Sequence, residues 1–187
     1  IFTSDNGMPF PRAKGNLYDY GLRVPLIAFW PEVIRPQRRV DDLISLTDLA
    51  PTFVDIAGLQ IPHQMSGKSL LDFFRTDKSG KIRTDNRKIF AGTERHGKKS
   101  ACKLWSMEKV LPDNAACGNY PIRSIRDNEY LLIWNAMPDN FPIATDIKGN
   151  LIKKEIVKEH NIENGFIAFN IEKRPEFELY HLVTDTY

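Results

Sequence analysis

The chain has 187 residues, of which 42% are hydrophobic and 27% are charged, and its formal net charge is +2. This length suits one domain with a sizeable core, or a large part of a bigger one. The small net charge and the absence of aromatics interleaved with basic groups argue against nucleic acid as a partner. No apolar run reaches the roughly 20 residues that a membrane-spanning helix needs. The composition is therefore that of a globular protein.

The first predicted element is a short buried strand that ends at Ser4. Residues 1–3 favour strand, and the Asp-Asn-Gly sequence at 5–7 is typical of a turn. A loop rich in glycine and proline follows. The apolar stretch 24–30, closed by Pro31, then predicts a second strand.

The clearest helix prediction runs from Asp48 to Gly58. Asp48 is the expected N-cap, and Pro51 lies in the first turn, where its missing N–H would have no helical partner in any case. Gly58 is placed to end the helix. The face expected to pack on a sheet consists of Leu49, Phe53, Ile56 and Ala57.

Five further elements are predicted along the rest of the chain. They are an amphipathic turn at 67–74, a strand at 88–93, a hairpin of strands 120–125 and 130–134, and a helix at 151–160. The order predicts an α/β arrangement followed by a smaller antiparallel subdomain.

A carboxylate and an amide stand together at the end of the first strand. Asp5 and Asn6 offer the oxygen donors that Ca²⁺ prefers, although a typical calcium site has about 6 to 8 oxygen ligands, so this pair supplies only part of one. Lys14 lies on the glycine-containing loop that follows and can reach a bound oxyanion as a point charge. Asp-Asn-Gly is also an ordinary turn sequence, so on these residues alone both interpretations stay open.

These residues form part of a longer pattern. Thr3-Ser-Asp-Asn-Gly7, followed by Lys14-Gly-x-x-Tyr18-Asp-x-Gly21-x-Arg23-x-Pro25, resembles the second half of the metal and sulfate site of type I sulfatases, members of the alkaline phosphatase superfamily. Segments 45–52, 67–70 and 178–182 resemble the next helix, the next turn and the closing strand of that family. Segments 5–11, 16–18 and 120–124 are similar to the branch that includes the N-sulfoglucosamine sulfohydrolases.

The resemblance implies roles for three residues. Asp5 and Asn6 would bind Ca²⁺, and Lys14, which is arginine in the N-sulfoglucosamine branch, would contact the sulfate group. The implied reaction is hydrolysis of sulfate esters or sulfamates on sulfated glycosaminoglycan sugars such as those of heparan sulfate. The family's nucleophile is a formylglycine made from a Cys/Ser-x-Pro-x-Arg motif, and this sequence does not contain that motif. We therefore expect a missing N-terminal half of the same protein to supply the nucleophile and the remaining calcium ligands, and this chain to be inactive alone.

The resemblance also implies a fold and a location. We expect residues 1–87 to be the C-terminal part of an alkaline-phosphatase-like α/β core, and residues 88–187 to be an antiparallel β plus helix subdomain. The chain opens inside a predicted strand and stops within another element, so we expect it to continue at both ends. By family analogy the protein would be exported to the periplasm, the lysosome or the cell exterior.

Three residues of the second half are candidates for contacting sugar. Glu94 and His96 follow the predicted strand 88–93, and Arg123 lies on the predicted hairpin. A lone histidine on a loop is more often a surface residue, and for Arg123 a structural salt bridge is the more common role. Cys102 and Cys117 can be a disulfide pair or free thiols, and neither has the neighbours of a zinc site.

Two alternative functions remain open on the sequence. A phosphatase or phosphodiesterase of the same superfamily would use a similar Asp/Asn pair to bind metal. A non-catalytic carbohydrate-binding module would need no nucleophile at all.

Overall fold

The computed structural model of the protein describes residues 1–10, 12–94, 120–140, 142 and 173–185. The strands within these ranges are β1 (Phe2–Thr3), β2 (Leu26–Ile27), β3 (Ile89–Thr93), β4 (Ile122–Arg126), β5 (Tyr130–Asn135) and β6 (Phe177–His181). The helices are α1 (Asp19–Leu22), a 3₁₀ helix at Leu46–Asp48, α2 (Leu49–Ile56) and α3 (Leu71–Arg75). β1 and β2 form a two-stranded sheet, and the other strands form a sheet in the order β3-β4-β5-β6.

The chain divides into two compact units. The first consists of Ile1–Phe2 and Leu26–Ile89, and the second of Thr3–Pro25 and Phe90–Tyr187. The segment that carries Asp5, Asn6 and Lys14 therefore belongs to the same unit as the four-stranded sheet. The expected domain boundary between residues 87 and 88 stays a prediction.

The core of the first unit is built around α3. The predicted amphipathic turn is confirmed, since Leu70, Leu71, Phe73 and Phe74 are buried together. Arg38 fixes the end of this helix by donating to the Phe73 carbonyl at 2.7 Å and to the Lys78 carbonyl at 2.8 Å.

The predicted helix at 48–58 is confirmed as α2, and Gly58 ends it with a left-handed φ of 70°. Asp48 stands at the predicted N-cap position of α2, but its side chain makes no capping hydrogen bond to this helix. Ser45 caps the preceding 3₁₀ turn in a capping box, in which its backbone N–H donates to the Asp48 carboxylate at 2.9 Å.

The predicted buried face of α2 was largely wrong. Leu49 packs against the α3 cluster, but Phe53 and Ile56 are 54% and 38% exposed and Ala57 is exposed as well. The inward side carries Pro51 and Thr52 instead. Polar contacts decide this orientation, because the Thr52 hydroxyl accepts the Leu70 N–H at 2.9 Å and donates to the Asp48 carbonyl.

Asp48 is the polar centre of the first unit. Its wholly buried carboxylate accepts two hydrogen bonds from the Arg87 guanidinium, both at 2.7 Å, and one from the Lys68 N–H at 2.9 Å. Burial alone would raise the pKa of Asp48, but the bonds from Arg87, Lys68 and Ser45 prevail and lower it. The Asp48 carboxylate therefore joins three separate segments of the chain, at residues 48, 68 and 87.

The strand predicted at 24–30 was too long. Only Leu26–Ile27 pairs, and Phe29 is 83% exposed. Pro25 and Pro31 flank the stretch and offer no N–H. The Trp30 carbonyl starts a turn instead, accepting the N–H groups of Val33 and Ile34 at 3.0 and 2.7 Å.

The second unit contains the four-stranded sheet. The predicted hairpin is confirmed: β4 and β5 are antiparallel, with Ile122 opposite Asn135 and Arg126 opposite Leu131. The predicted strand at 88–93 and the closing strand are β3 and β6, the latter antiparallel to β5. On the buried face Ile122, Leu131 and Ile133 pack against Leu17 and Tyr18 of the N-terminal loop. The predicted helix at 151–160, His96, Cys102 and Cys117 lie outside the described residues.

Candidate functional site

The turn that follows β1 holds Asp5 and Asn6 side by side. The Ser4 hydroxyl donates to the Asn6 carbonyl at 2.8 Å, which closes the turn. The Asn6 amide donates to the Asp5 carboxylate at 2.6 Å, and Asp5 is exposed while Asn6 is half-buried. This local hydrogen bonding presents two neighbouring oxygen-bearing side chains at the end of a strand.

The loop that carries Lys14 is folded back on the residues after this turn. The Met8 carbonyl accepts the N–H of Lys14 at 3.0 Å, and the Phe10 carbonyl accepts the N–H of Ala13 at 3.1 Å. Gly15 then turns the chain with a φ of 71°, a conformation that favours glycine. The backbone of Lys14 is thereby bonded to Met8, which lies two residues after Asn6.

Gly7 and Gly21 allow the Asp-Asn turn and the Lys14 loop to pack closely on the backbone of α1. A Cβ on Gly7 would lie 2.9 Å from the Gly21 Cα and 2.3 Å from the Tyr20 carbonyl oxygen. A Cβ on Gly21 would lie 2.2 Å from the Asn16 carbonyl oxygen and 2.4 Å from that of Ala13. Gly21, in α1, therefore contacts both the Asp-Asn turn and the Lys14 loop at distances that only glycine permits.

A buried carboxylate anchors the same loop to the sheet. Glu178 of β6 is 7% exposed and accepts the Tyr18 hydroxyl at 3.1 and 2.9 Å, the Tyr180 hydroxyl at 2.5 Å and the Asn135 amide at 2.7 Å. The guanidinium groups of Arg12 and Arg174 lie 4.6 and 5.0 Å from the centre of the Tyr18 ring.

These contacts change the acid–base properties of the tyrosines. Burial raises the pKa of Tyr18 far above its ordinary value, although the positive charge of Arg174 opposes the shift. Burial also raises the pKa of Tyr180 to about 12, with the hydrogen bond to Glu178 adding to the effect. Tyr18 and Tyr180 are therefore neutral hydrogen-bond donors to Glu178 at ordinary pH.

Other residues of the motif have structural partners. Arg126 of β4 forms an ion pair with Asp19, the first residue of α1, and Arg23 donates to the same carboxylate at 3.4 Å. The side chains of Arg126 and Asp19 are 16% and 13% exposed, so this pair is largely screened from solvent. It attaches α1, and hence Gly21, to the sheet.

The structure brings Glu94 and Arg123 together. They form an ion pair between the end of β3 and β4, with side chains 76% and 44% exposed, and Arg123 also donates to the Thr93 carbonyl at 3.2 Å. Among the described residues, no hydrogen bond or ion pair joins these two to Asp5, Asn6 or Lys14. His96 lies outside the described residues, so a role in contacting sugar stays a prediction for all three.

The donor chemistry at Asp5 and Asn6 suits a hard cation but is incomplete. A carboxylate and an amide oxygen are calcium ligands, and a single adjacent pair provides too few of them. In the described ranges, no group of three or more His, Cys, Asp or Glu side chains could hold a metal ion. A complete calcium site would need ligands from elsewhere.

Sequence reasoning missed the residues that support the loop. Asn16, Arg174 and Glu178 had no predicted role, although Glu178 stood in a segment already matched to the family's closing strand. The alternation of β6 could not have revealed it, because the apolar Phe177 and Leu179 are exposed and the polar Glu178 is the buried residue. Among the residues that the structure describes, the longest helix is α2, and its eight residues are far too few to cross a membrane.

Comparison with known proteins agrees with the motif. The family described as N-sulphoglucosamine sulphohydrolase, C-terminal, matches residues 13–94. An ulvan-active sulfatase from Formosa agariphila is 32% identical over 187 residues, which is 100% of this chain and 31% of that protein. Human N-sulphoglucosamine sulphohydrolase is 29% identical over 159 residues, covering 78% of this chain and 26% of its own length. Human N-acetylglucosamine-6-sulfatase is 34% identical over 121 residues, covering 60% and 22%.

The chain belongs to the sulfatase family and corresponds to the C-terminal region of its members. The family expected from the residues at 3–25 is thereby confirmed. The chain spans less than a third of the length of these relatives, with shares of 31%, 26% and 22%.

Proposed function

We propose that the protein is a sulfatase that hydrolyses sulfate esters or sulfamates on glycosaminoglycan sugars. In this proposal Asp5 and Asn6 are calcium ligands and Lys14 binds the sulfate group. The observation that carries it is the backbone of Gly21, which contacts the Asp-Asn turn through Gly7 and the Lys14 loop through Ala13 and Asn16. A cation ligand pair and a positively charged side chain on one rigid support are what an oxyanion substrate requires.

Each residue has a distinct part in the proposed chemistry. The Lys14 ammonium stabilises the negative charge that develops on the sulfate group in the transition state. Asp5 and Asn6 hold part of the calcium site, and calcium, when bound, supplies positive charge that helps to neutralise the sulfate. The nucleophile and the other ligands come from another part of the longer protein.

The relatives point to the substrate class. Two of them are named for N-sulphoglucosamine and N-acetylglucosamine-6-sulfate chemistry, and a third for ulvan, so a sulfated sugar is the shared element. Lysine at position 14 offers one point charge in place of the bidentate fork of an arginine. We therefore include sulfate esters beside sulfamates among the substrates. Heparan sulfate is the proposed source of the sugar, and the protein is proposed to act after export.

Sulfate release by the full-length parent protein tests this proposal. N-sulfoglucosamine and glucosamine 6-sulfate are the substrates, and glucosamine 6-phosphate is the control for phosphatase activity. We expect sulfate release from at least one sulfated sugar and little phosphate release. Faster phosphate release would establish the alternative phosphatase or phosphodiesterase instead.

Calcium content provides a second readout that does not depend on activity. The parent protein and its Asp5→Ala variant are compared after gel filtration, with Asp77→Ala as the control because Asp77 is an exposed aspartate. We expect Asp5→Ala to lose bound calcium and Asp77→Ala to retain it. Equal calcium content in all three proteins would remove Asp5 from the site.

The 187-residue chain alone gives a third test. We expect no turnover of N-sulfoglucosamine with added Ca²⁺, because the chain lacks the nucleophile motif. Calorimetry with heparan oligosaccharides measures binding by the same chain. Tight binding without turnover would favour the carbohydrate-binding module.

A further inference from the structure

A buried arginine from the segment before β6 reaches the loop that carries Lys14. We infer that Arg174 is a positioning residue for Lys14 and acts through the side-chain amide of Asn16. This inference rests on the proposed role of Lys14 in binding sulfate. It assigns a function to two residues that have no role in the chemistry proposed above.

Two hydrogen bonds link Arg174 to the backbone of Lys14. The Arg174 guanidinium Nη2 donates to Asn16 Oδ1 at 3.0 Å, and Asn16 Nδ2 donates to the Lys14 carbonyl at 3.1 Å. Arg174 and Asn16 are 5% and 7% exposed, so water competes little for either bond. Arg174 and Asn16 lie 158 positions apart in sequence, so the loop depends on the segment that precedes β6.

The chemistry of the two side chains fixes the direction of this relay. A guanidinium has only donors, so the oxygen of the Asn16 amide must face Arg174. The amino group of the same amide is then directed to the Lys14 carbonyl. Without Arg174 the Asn16 side-chain amide would be free to rotate. The Lys14 carbonyl would then lose the hydrogen-bond donor that Arg174 now holds in one orientation.

Arg174 is itself held in place by aromatic rings. Its guanidinium carbon lies 5.0 Å from the centre of the Tyr18 ring and 5.9 Å from that of Tyr120. Tyr18 is in turn bonded to Glu178, four residues after Arg174. Arg174 is therefore a fixed donor, and it holds the backbone of Lys14 in position through Asn16.

Steady-state kinetics of the full-length parent on N-sulfoglucosamine test this inference. We expect Arg174→Met to lower kcat/KM about tenfold or more, because small displacements of a binding group reduce the rate strongly. Asn16→Asp can still accept from Arg174 but cannot donate to Lys14, so it should show a similar loss. Arg87→Met, which breaks a buried pair in the other unit, is the control for loss of stability alone, and Asn128→Asp, at an exposed asparagine, is the control for the added charge.

A double-mutant cycle with Lys14→Ala separates positioning from a merely structural role. If Arg174 acts through Lys14, adding Arg174→Met to Lys14→Ala should change kcat/KM by less than about twofold. An equal loss in both backgrounds would overturn the inference, as would full activity of both Arg174→Met and Asn16→Asp. If Lys14→Ala alone has no effect, the proposed function of Lys14 fails, and that outcome is distinct from a failure of the relay.

Discussion

The hydroxyl of Tyr18 donates to both carboxylate oxygens of Glu178, at 3.1 and 2.9 Å, across 160 positions of sequence. Tyr18 ends the loop that carries Lys14, and Glu178 lies in β6. This contact attaches the candidate sulfate-binding loop to the four-stranded sheet. The stability of that unit and the geometry of the loop are therefore linked.

Replacing Glu178 by glutamine should destabilise the second unit. One carboxylate oxygen that now accepts from buried hydroxyl or amide groups would become an NH₂ donor. We expect a loss of about 1 to 3 kcal/mol in the free energy of unfolding, measured by urea denaturation. Glu176→Gln is the matched control, because Glu176 is exposed and should change stability by less than about 0.5 kcal/mol. Equal effects of the two variants would contradict the buried role of Glu178.

Alanine at position 21 should displace the Lys14 loop. Its Cβ would lie 2.2 Å from the Asn16 carbonyl oxygen and 2.4 Å from that of Ala13, so the clash is with backbone and not with a flexible side chain. We expect Gly21→Ala to lower the free energy of unfolding by about 3 kcal/mol or more.

A second glycine gives the comparison for Gly21. Gly58→Ala meets no atom within 4 Å and introduces only the strain of a left-handed φ, at about 1 to 2 kcal/mol. Denaturation curves should rank Gly21→Ala as the more damaging substitution. The opposite order would show that Gly21 is not tightly packed.

Breaking the Asp48–Arg87 pair should destabilise the first unit strongly. Arg87→Met leaves a buried carboxylate without its two shortest hydrogen bonds, and we expect a loss of about 3 to 5 kcal/mol in urea denaturation. Lys68→Met removes an ion pair between two exposed side chains and should shift the midpoint far less. Similar midpoints for the two variants would contradict the central role of Asp48.

The same carboxylate should make stability depend on acid pH. The pKa of Asp48 is lower in the folded protein than the usual value of about 3.9 in an unfolded chain. Its contribution is therefore present above about pH 4 and is lost as the pH falls through the folded pKa. We expect the free energy of unfolding of the wild type to decrease as the pH is lowered through this range, and that of Asp48→Asn to decrease less steeply. Parallel curves would show that Asp48 does not titrate differently on folding.

Local sequence patterns predicted most of the elements. Alternating apolar residues and a four-residue connection were sufficient to predict the hairpin of β4 and β5, and Gly58 correctly marked the end of α2. These features depend on short-range rules of periodicity and turn chemistry. The Asp5, Asn6 and Lys14 motif likewise lies within a single short segment and was visible in the sequence.

Long-range polar contacts could not be predicted in the same way. The buried face of α2 is set by Thr52 with Leu70 and by Asp48 with Arg87, partners 18 and 39 positions apart. A hydrophobic pattern alone favoured Phe53 and Ile56 instead. The support of the Lys14 loop by Glu178 and Arg174 has the same origin, because nothing local to residues 14–18 indicates a partner near the other end of the chain.

Sulfate release from N-sulfoglucosamine by the full-length parent protein and its Lys14→Ala variant tests the central claim most directly. Lys14→Arg keeps the positive charge, and Lys81→Ala removes an exposed lysine of the other unit. We predict that Lys14→Ala lowers kcat/KM by about a hundredfold or more, because it removes a charge that stabilises the transition state, while both other variants remain active. Activity of Lys14→Ala within about twofold of the wild type would contradict the claim that Lys14 binds the sulfate group.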